Sequence, residues 1–90
     1  MKAKCRSQSG GKVELRVLDI SPIGCMVERQ GWSAHTDDRI LIQIEGLGFQ
    51  PARVCWVEDE LAGIEFEQLL HECVLDQLKG TLIRDLQAAA

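Results

Sequence analysis

The sequence predicts a mainly β fold, a six-stranded antiparallel barrel with a C-terminal α-helix, in one domain over residues 1–90. Three observations carry this. Six short stretches between residues 2 and 67 alternate apolar and polar side chains with period two, as half-buried strands do. Gly, Pro, Ser and Asp punctuate them at short intervals, which suits hairpin connections in a small barrel. From about residue 70 to 88 the apolar spacing changes to that of a helix. Ninety residues bury one small core, which argues against a second domain.

Lys2, Lys4 and Arg6 alternate with Ala3 and Cys5, and Val13, Leu15 and Val17 alternate with Lys12, Glu14 and Arg16. Residues 7–11 (SQSGG) lie between them, and the paired glycines allow the positive φ of a tight turn, so 2–7 and 12–20 form a hairpin. Residues 24–29 (GCMVER) make a third strand, and 30–38 (QGWSAHTDD) a polar loop. Ile40, Ile42 and Ile44 share one face of a fourth strand, 39–45. The fifth, 49–57 (FQPARVCWV), carries Pro51, the mark of an edge or a bulge, and its alternation with Val54 sends Trp56 into the core. An acidic turn leads to a sixth strand, 61–67, with Ile64 and Phe66 inward. Apolar residues at 74, 75, 78, 82, 83 and 86 then form one helical stripe, weakened at Gly80. That stripe either docks on the barrel or pairs with another protomer or a partner protein.

The composition is that of a soluble globular chain, with 46% hydrophobic and 27% charged residues. Its apolar runs are far shorter than the ~20 residues that span a bilayer. The basic N-terminus is followed by no apolar region of a signal peptide, so the expected compartment is the cytoplasm. A net charge of −4 argues against a general DNA or RNA binder. The charge is uneven: five cations and one acid precede Asp19. The four cysteines are widely spaced, and three fall in strand-like runs, where they read as buried free thiols. His71 and Cys73 alone make no zinc motif, His35 sits in a polar loop, and the acidic clusters Asp37-Asp38 and Glu58-Asp59-Glu60 read as solvated turns. With no nucleophile–base pair and no ligand set, neither an enzyme nor a cofactor or metal site is expected. Trp32, in the polar loop, either anchors a partner or folds back over the barrel end.

One turn carries more information than the others. In VLDISPIGCMVE, residues 17–28, a strand-like run stops at Asp19-x-Ser21-x-x-Gly24 and restarts at once. Asp, Ser, Pro and Gly build corners by capping, by fixing φ and by backbone freedom, so a purely structural corner is one reading. The other uses their order. Residues two apart on extended backbone leave the same face, which puts a carboxylate and a hydroxyl side by side. Gly24 would leave the backbone open to a ligand, and such a rim suits a guanine edge and a phosphate.

Asp19-x-Ser21-x-x-Gly24 followed by a strand resembles the D/N-x-S-x-x-G motif of PilZ domains. Residues 52–78, ARVCWVEDELAGIEFEQLLHECVLDQL, are similar to the ending of that family: V-x-W, an acidic turn, A-G-[IV]-x-F and a helix. The resemblance covers nearly the whole chain. It implies a bacterial receptor module for the second messenger cyclic di-GMP, of the split-barrel type, with Asp19, Ser21 and Gly24 at the ligand. The family's R-x-x-x-R motif, which clamps phosphates and stacks on guanine, is missing here. The nearest match, Lys2-x-x-x-Arg6, replaces a planar fork with a point charge and lies inside the first strand. Losing one charge-assisted contact costs ~1.5–3 kcal/mol, so binding is expected to be weak unless Lys2, Lys4 and Arg6 form a substitute anion patch. The alternative is a PilZ-like adaptor that works through a protein partner or self-association, without nucleotide.

Overall fold

Hydrogen bonding between neighbouring strands closes the sheet on itself in the computed structural model, which describes residues 1–7 and 10–88. The described strands are β1 (Lys2–Ser7), β2 (Lys12–Ser21), β3 (Gly24–Glu28), β4 (Arg39–Ile44), β5 (Gln50–Glu58) and β6 (Leu61–Phe66), followed by one helix, α1 (Glu72–Ala88). Around the barrel the order is β1-β2-β3-β6-β5-β4, and β4 returns to pair with β1. Every pairing is antiparallel. Closure leaves no strand edge exposed, and each strand residue must face either core or solvent. The barrel and helix follow the predicted order, with strand ends shifted by one residue.

The hairpin of β1 and β2 pairs Cys5 with Val13 and Arg6 with Lys12. Gln8 and Ser9, in the middle of its predicted turn, lie outside the described residues. On either side of them, Ser7 N–H donates to the Gly11 carbonyl at 2.9 Å and Gly10 N–H to the Ser7 carbonyl at 3.0 Å. Gly10 has φ +89°, a conformation that favours glycine. Leu15, Ile42, Ile44 and Ile64 fill the barrel, and among the described residues no polar or charged residue is buried.

The predicted helical stripe mostly docks on the chain's own barrel. Leu75, Leu78 and Leu82 are buried and Val74 and Leu86 pack beside them, while Ile83 stays 56% exposed. The helix runs unbroken through Gly80. It starts at Glu72 rather than residue 70, because residues 68–71 form a connector: Leu70 is buried and its N–H donates to the Pro22 carbonyl at 2.9 Å. The ring of His71 then caps the helix, its Nδ1 accepting the Cys73 N–H at 3.1 Å. Met1 is buried beside the helix: its amino group pairs with Asp85 of α1, and its carbonyl accepts the Val17 N–H at 2.9 Å. Among the described residues, no helix is long and apolar enough to cross a membrane.

Two expectations about tryptophan resolve differently. Trp32 is half-buried and packs on the core, folding back over the barrel. Trp56, expected in the core, is instead 37% exposed. The pairing of β5 with β6 shifts register between Val54 and Trp56, and this bulge at Cys55 turns the indole outward. Strict alternation fails there by one residue.

All four cysteines are free: Cys5 and Cys25 are buried, Cys55 is half-buried and Cys73 is exposed. Burial pushes the Cys5 and Cys25 thiols from their ordinary 9.0 up to about 12. In the unfolded chain both would ionise near 9.0, so between that pH and about 12 the folded state holds more protons. Stability therefore falls as pH rises through this window. Thermal melts at increasing alkaline pH should show a falling Tm, with a shallower slope in Cys25→Ala. Thiol titration of the native protein near neutral pH should modify Cys73 readily and leave Cys5 and Cys25 untouched until unfolding.

Candidate functional site

The site begins with a second break in alternation. After Leu15 and Val17 point inward, strict period two would bury Asp19. The pairing of β2 with β3 instead shifts register between Val17 and Asp19. This bulge at Leu18 lets Asp19 face solvent and sends Ile20 into the core, where it is 3% exposed. A buried unpaired carboxylate would be far more costly than one disrupted ladder step.

Beyond the bulge, Asp19 opposes Met26 and Ser21 opposes Gly24. The Asp19 carboxylate accepts the Ile20 N–H at 2.9 Å. Ser21 Oγ accepts the Ile23 N–H at 3.3 Å and donates to the Gly24 carbonyl at 3.3 Å, which holds the corner shut. The carbonyls of Pro22 and Ile23 accept the N–H groups of Leu70 and Phe66 at 2.9 and 2.8 Å. The corner is thus pinned to the end of β6 and the connector after it.

Cross-strand pairing extends these residues into two rows on the outer wall. One runs Asp19, Met26, Gly63, Trp56, and the other Ser21, Gly24, Glu65, Arg53. Together they border a shallow cleft of about 230 Å³, whose lining includes Asp19, Ser21, Ile23, Met26, Trp56 and Glu65. Its two glycines have different causes. A Cβ on Gly24 would overlap the Ile64 carbonyl oxygen of β6, so the space expected to admit a ligand is taken by the neighbouring strand. A Cβ on Gly63 would overlap the Trp56 ring, so the indole lies directly across β6 at that point.

The cleft brings together Asp19, Ser21 and Gly24 but not the basic residues of β1. Its charged lining is Asp19 and Glu65, and no Lys or Arg lines it among the described residues. Arg53 stands next to Glu65, but its guanidinium is held by Glu65 at 3.3 Å and Asp37 at 3.2 Å. Arg6 lies opposite Lys12 at the far end of β2, while Lys2 lies opposite Arg16 near its middle, about 10 Å along the strand from Asp19. At ~3.3 Å per residue, Lys12 is roughly 23 Å along the strand from Asp19. Lys2 also pairs with Glu14 at 3.2 Å.

Sequence reasoning missed Trp56, Gly63 and Glu65 as parts of this face. Their signal was present in the V-x-W and A-G-I-x-F stretches, but the bulge that turns Trp56 outward has no mark in the alternation. The remaining polar clusters are local: Asp38 accepts the His35 N–H at 3.0 Å, and no group of three or more metal-ligating side chains gathers among the described residues.

The family model for the PilZ domain matches residues 1–84 of this chain. No curated protein gives a significant match.

Two substitutions separate the roles of the glycines. Gly24→Ala forces β3 away from β6 and should lower Tm by roughly 10 °C, the effect of ~2 kcal/mol of overpacking in a domain of this size. Gly63→Ala should displace the indole at a much smaller cost. In a Trp32→Phe background, so that emission reports Trp56 alone, it should shift the emission maximum and increase acrylamide quenching.

Proposed function

The chain belongs to the PilZ domain family, and on that premise we propose that it is a regulatory module of bacterial second-messenger signalling, working in the cytoplasm, with cyclic di-GMP as its ligand class and the Asp19–Ser21–Trp56 cleft as its ligand face. The observation that carries this reading is the bulge at Leu18, which presents Asp19 and Ser21 together on one outward face beside an exposed indole. Each group suits part of a guanine nucleotide. A carboxylate accepts the two adjacent N–H groups of a guanine edge, and a hydroxyl serves a phosphate or ribose. An indole offers a stacking surface worth ~1–3 kcal/mol per base. Domains of this family are regulatory receptors rather than enzymes.

The cleft recognises a base better than a phosphate. Cyclic di-GMP carries two phosphates, and the charged residues lining the cleft are Asp19 and Glu65, with the neighbouring Arg53 held by Glu65 and Asp37. Affinity of the isolated chain is therefore low, and cations from a partner would raise it. The same observation favours a second reading, in which the module is an adaptor that acts through protein contact without nucleotide. Ile23 and Leu69, 59% and 72% exposed, give the corner an apolar surface for such a contact.

A calorimetric titration with cyclic di-GMP at moderate salt tests the first reading. Heat with a 1:1 or 2:1 stoichiometry, weakened about tenfold by Asp19→Ala or Ser21→Ala, is the expected result. Unchanged affinity in both variants moves binding away from this cleft. No heat at high ligand concentration leaves the adaptor reading.

A further inference from the structure

The wall formed by β4, β1 and β2 carries a second cleft, of about 390 Å³. Lys4, Arg6, Lys12, Gln43 and Phe49 contribute to its lining. Its charge arrangement is unfavourable when empty. Arg6 and Lys12 sit directly opposite each other on paired strands, and like charges placed so are destabilising. Lys4 follows two residues from Arg6 on the same face, opposite Glu14, whose carboxylate is held by Lys2 at 3.2 Å. Strands lie ~4.8 Å apart and residues two apart are ~7 Å apart, so the three cations rise from a patch small enough to converge on one phosphate. On a chain of net charge −4 this is a local reversal of sign.

The patch also has a planar element. The Arg6 guanidinium lies 5.3 Å from the centroid of the Phe49 ring, and that ring is 43% exposed. A guanidinium ordered over an aromatic face is pre-set for stacking as well as for a forked contact with phosphate. Gln43, paired with Lys4 from the β4 side, adds an amide donor and acceptor at the rim. We infer that this wall is a separate binding site for a phosphorylated ligand with a planar ring, of the mononucleotide class. The phosphate sits among Lys4, Arg6 and Lys12, and the ring lies against Phe49. The site shares no lining residue with the Asp19 cleft and stands or falls independently of it.

Amide NMR shifts of the full chain, titrated separately with 5′-GMP and with inorganic phosphate, test this. The expected result is saturable shifts at Lys4, Arg6, Lys12, Gln43 and Phe49 with both probes. Lys12→Ala should weaken both about tenfold. Phe49→Ala should weaken GMP severalfold and leave phosphate unchanged, while Asp19→Ala should change neither. Both Lys12 and Phe49 are exposed, so the variants keep the core. No shifts up to millimolar GMP, shifts confined to Asp19 and Trp56, or equal GMP affinity in Phe49→Ala would each overturn the inference.

Discussion

A closed barrel admits no neutral position: every strand residue faces the packed interior or the solvent, and one extra residue reverses the assignment for all that follow. The bulges at Leu18 and Cys55 are the points where this chain makes that reversal. The first keeps the Asp19 carboxylate in water and delivers Ile20 to the core. The second takes Trp56 out of the core and lays it over Gly63. Both bulges border the same wall, on strands separated by β3 and β6. Without the first, the carboxylate of the D-x-S-x-x-G corner would be buried, and without the second the cleft would lack its indole.

The same wall is coupled to the helix. Pro22 and Ile23 present their carbonyls to Leu70 and Phe66, Leu70 is buried, and His71 caps α1 one residue later. The corner that holds Ser21 is therefore joined by one hydrogen bond, Leu70 N–H to the Pro22 carbonyl, to the segment that sets where the helix begins. A displacement of Pro22 acts on that connector through Leu70, and one of Ile23 acts on the buried Phe66 at the end of β6. A regulatory module needs such a path between its ligand face and an element on its surface. The leucines of α1 are committed to the barrel, which leaves Ile83 and the exposed Leu69 as the apolar side chains along this route.

The strands, their order and the helix were legible because burial alternates cleanly in most of them, as at Ile40, Ile42 and Ile44 or at Ala3 and Cys5. The Asp19–Ser21 pairing on one face was legible too, since both residues lie beyond the bulge and their spacing is undisturbed. The failures have one cause. A bulge is a tertiary compromise between pairing and burial: Pro51, read as the mark of an edge or a bulge, pairs in register with Leu41 in the closed barrel, while the bulge falls at the unmarked Cys55, so Trp56 read as core. Gly24 illustrates a related limit. Composition shows that a small residue is wanted there, but only the packing of β3 on β6 shows that the Ile64 carbonyl, not a ligand, fills the space.

Charge divides the barrel into two walls with opposite chemistry. The cleft at Asp19 has two carboxylates, a hydroxyl and an aromatic face, groups suited to a base edge and unfavourable to a phosphate. The wall at Arg6 has three cations and an aromatic ring, groups suited to a phosphate and a planar ring. Lys12 is roughly 23 Å along β2 from Asp19, beyond the ~6 Å reach of its side chain, whereas Arg16 is only about 10 Å along the same strand, its guanidinium 3.9 Å from Glu28. A guanine contact at Asp19 must offset repulsion between Asp19, Glu65 and any phosphate drawn close. On the proposed reading, net affinity at that cleft depends on cations outside its lining, of which Arg16 is the nearest along β2. On the same reading, the Asp19 corner would select the base, and Arg16 together with any cation from a partner would set how tightly the nucleotide is held.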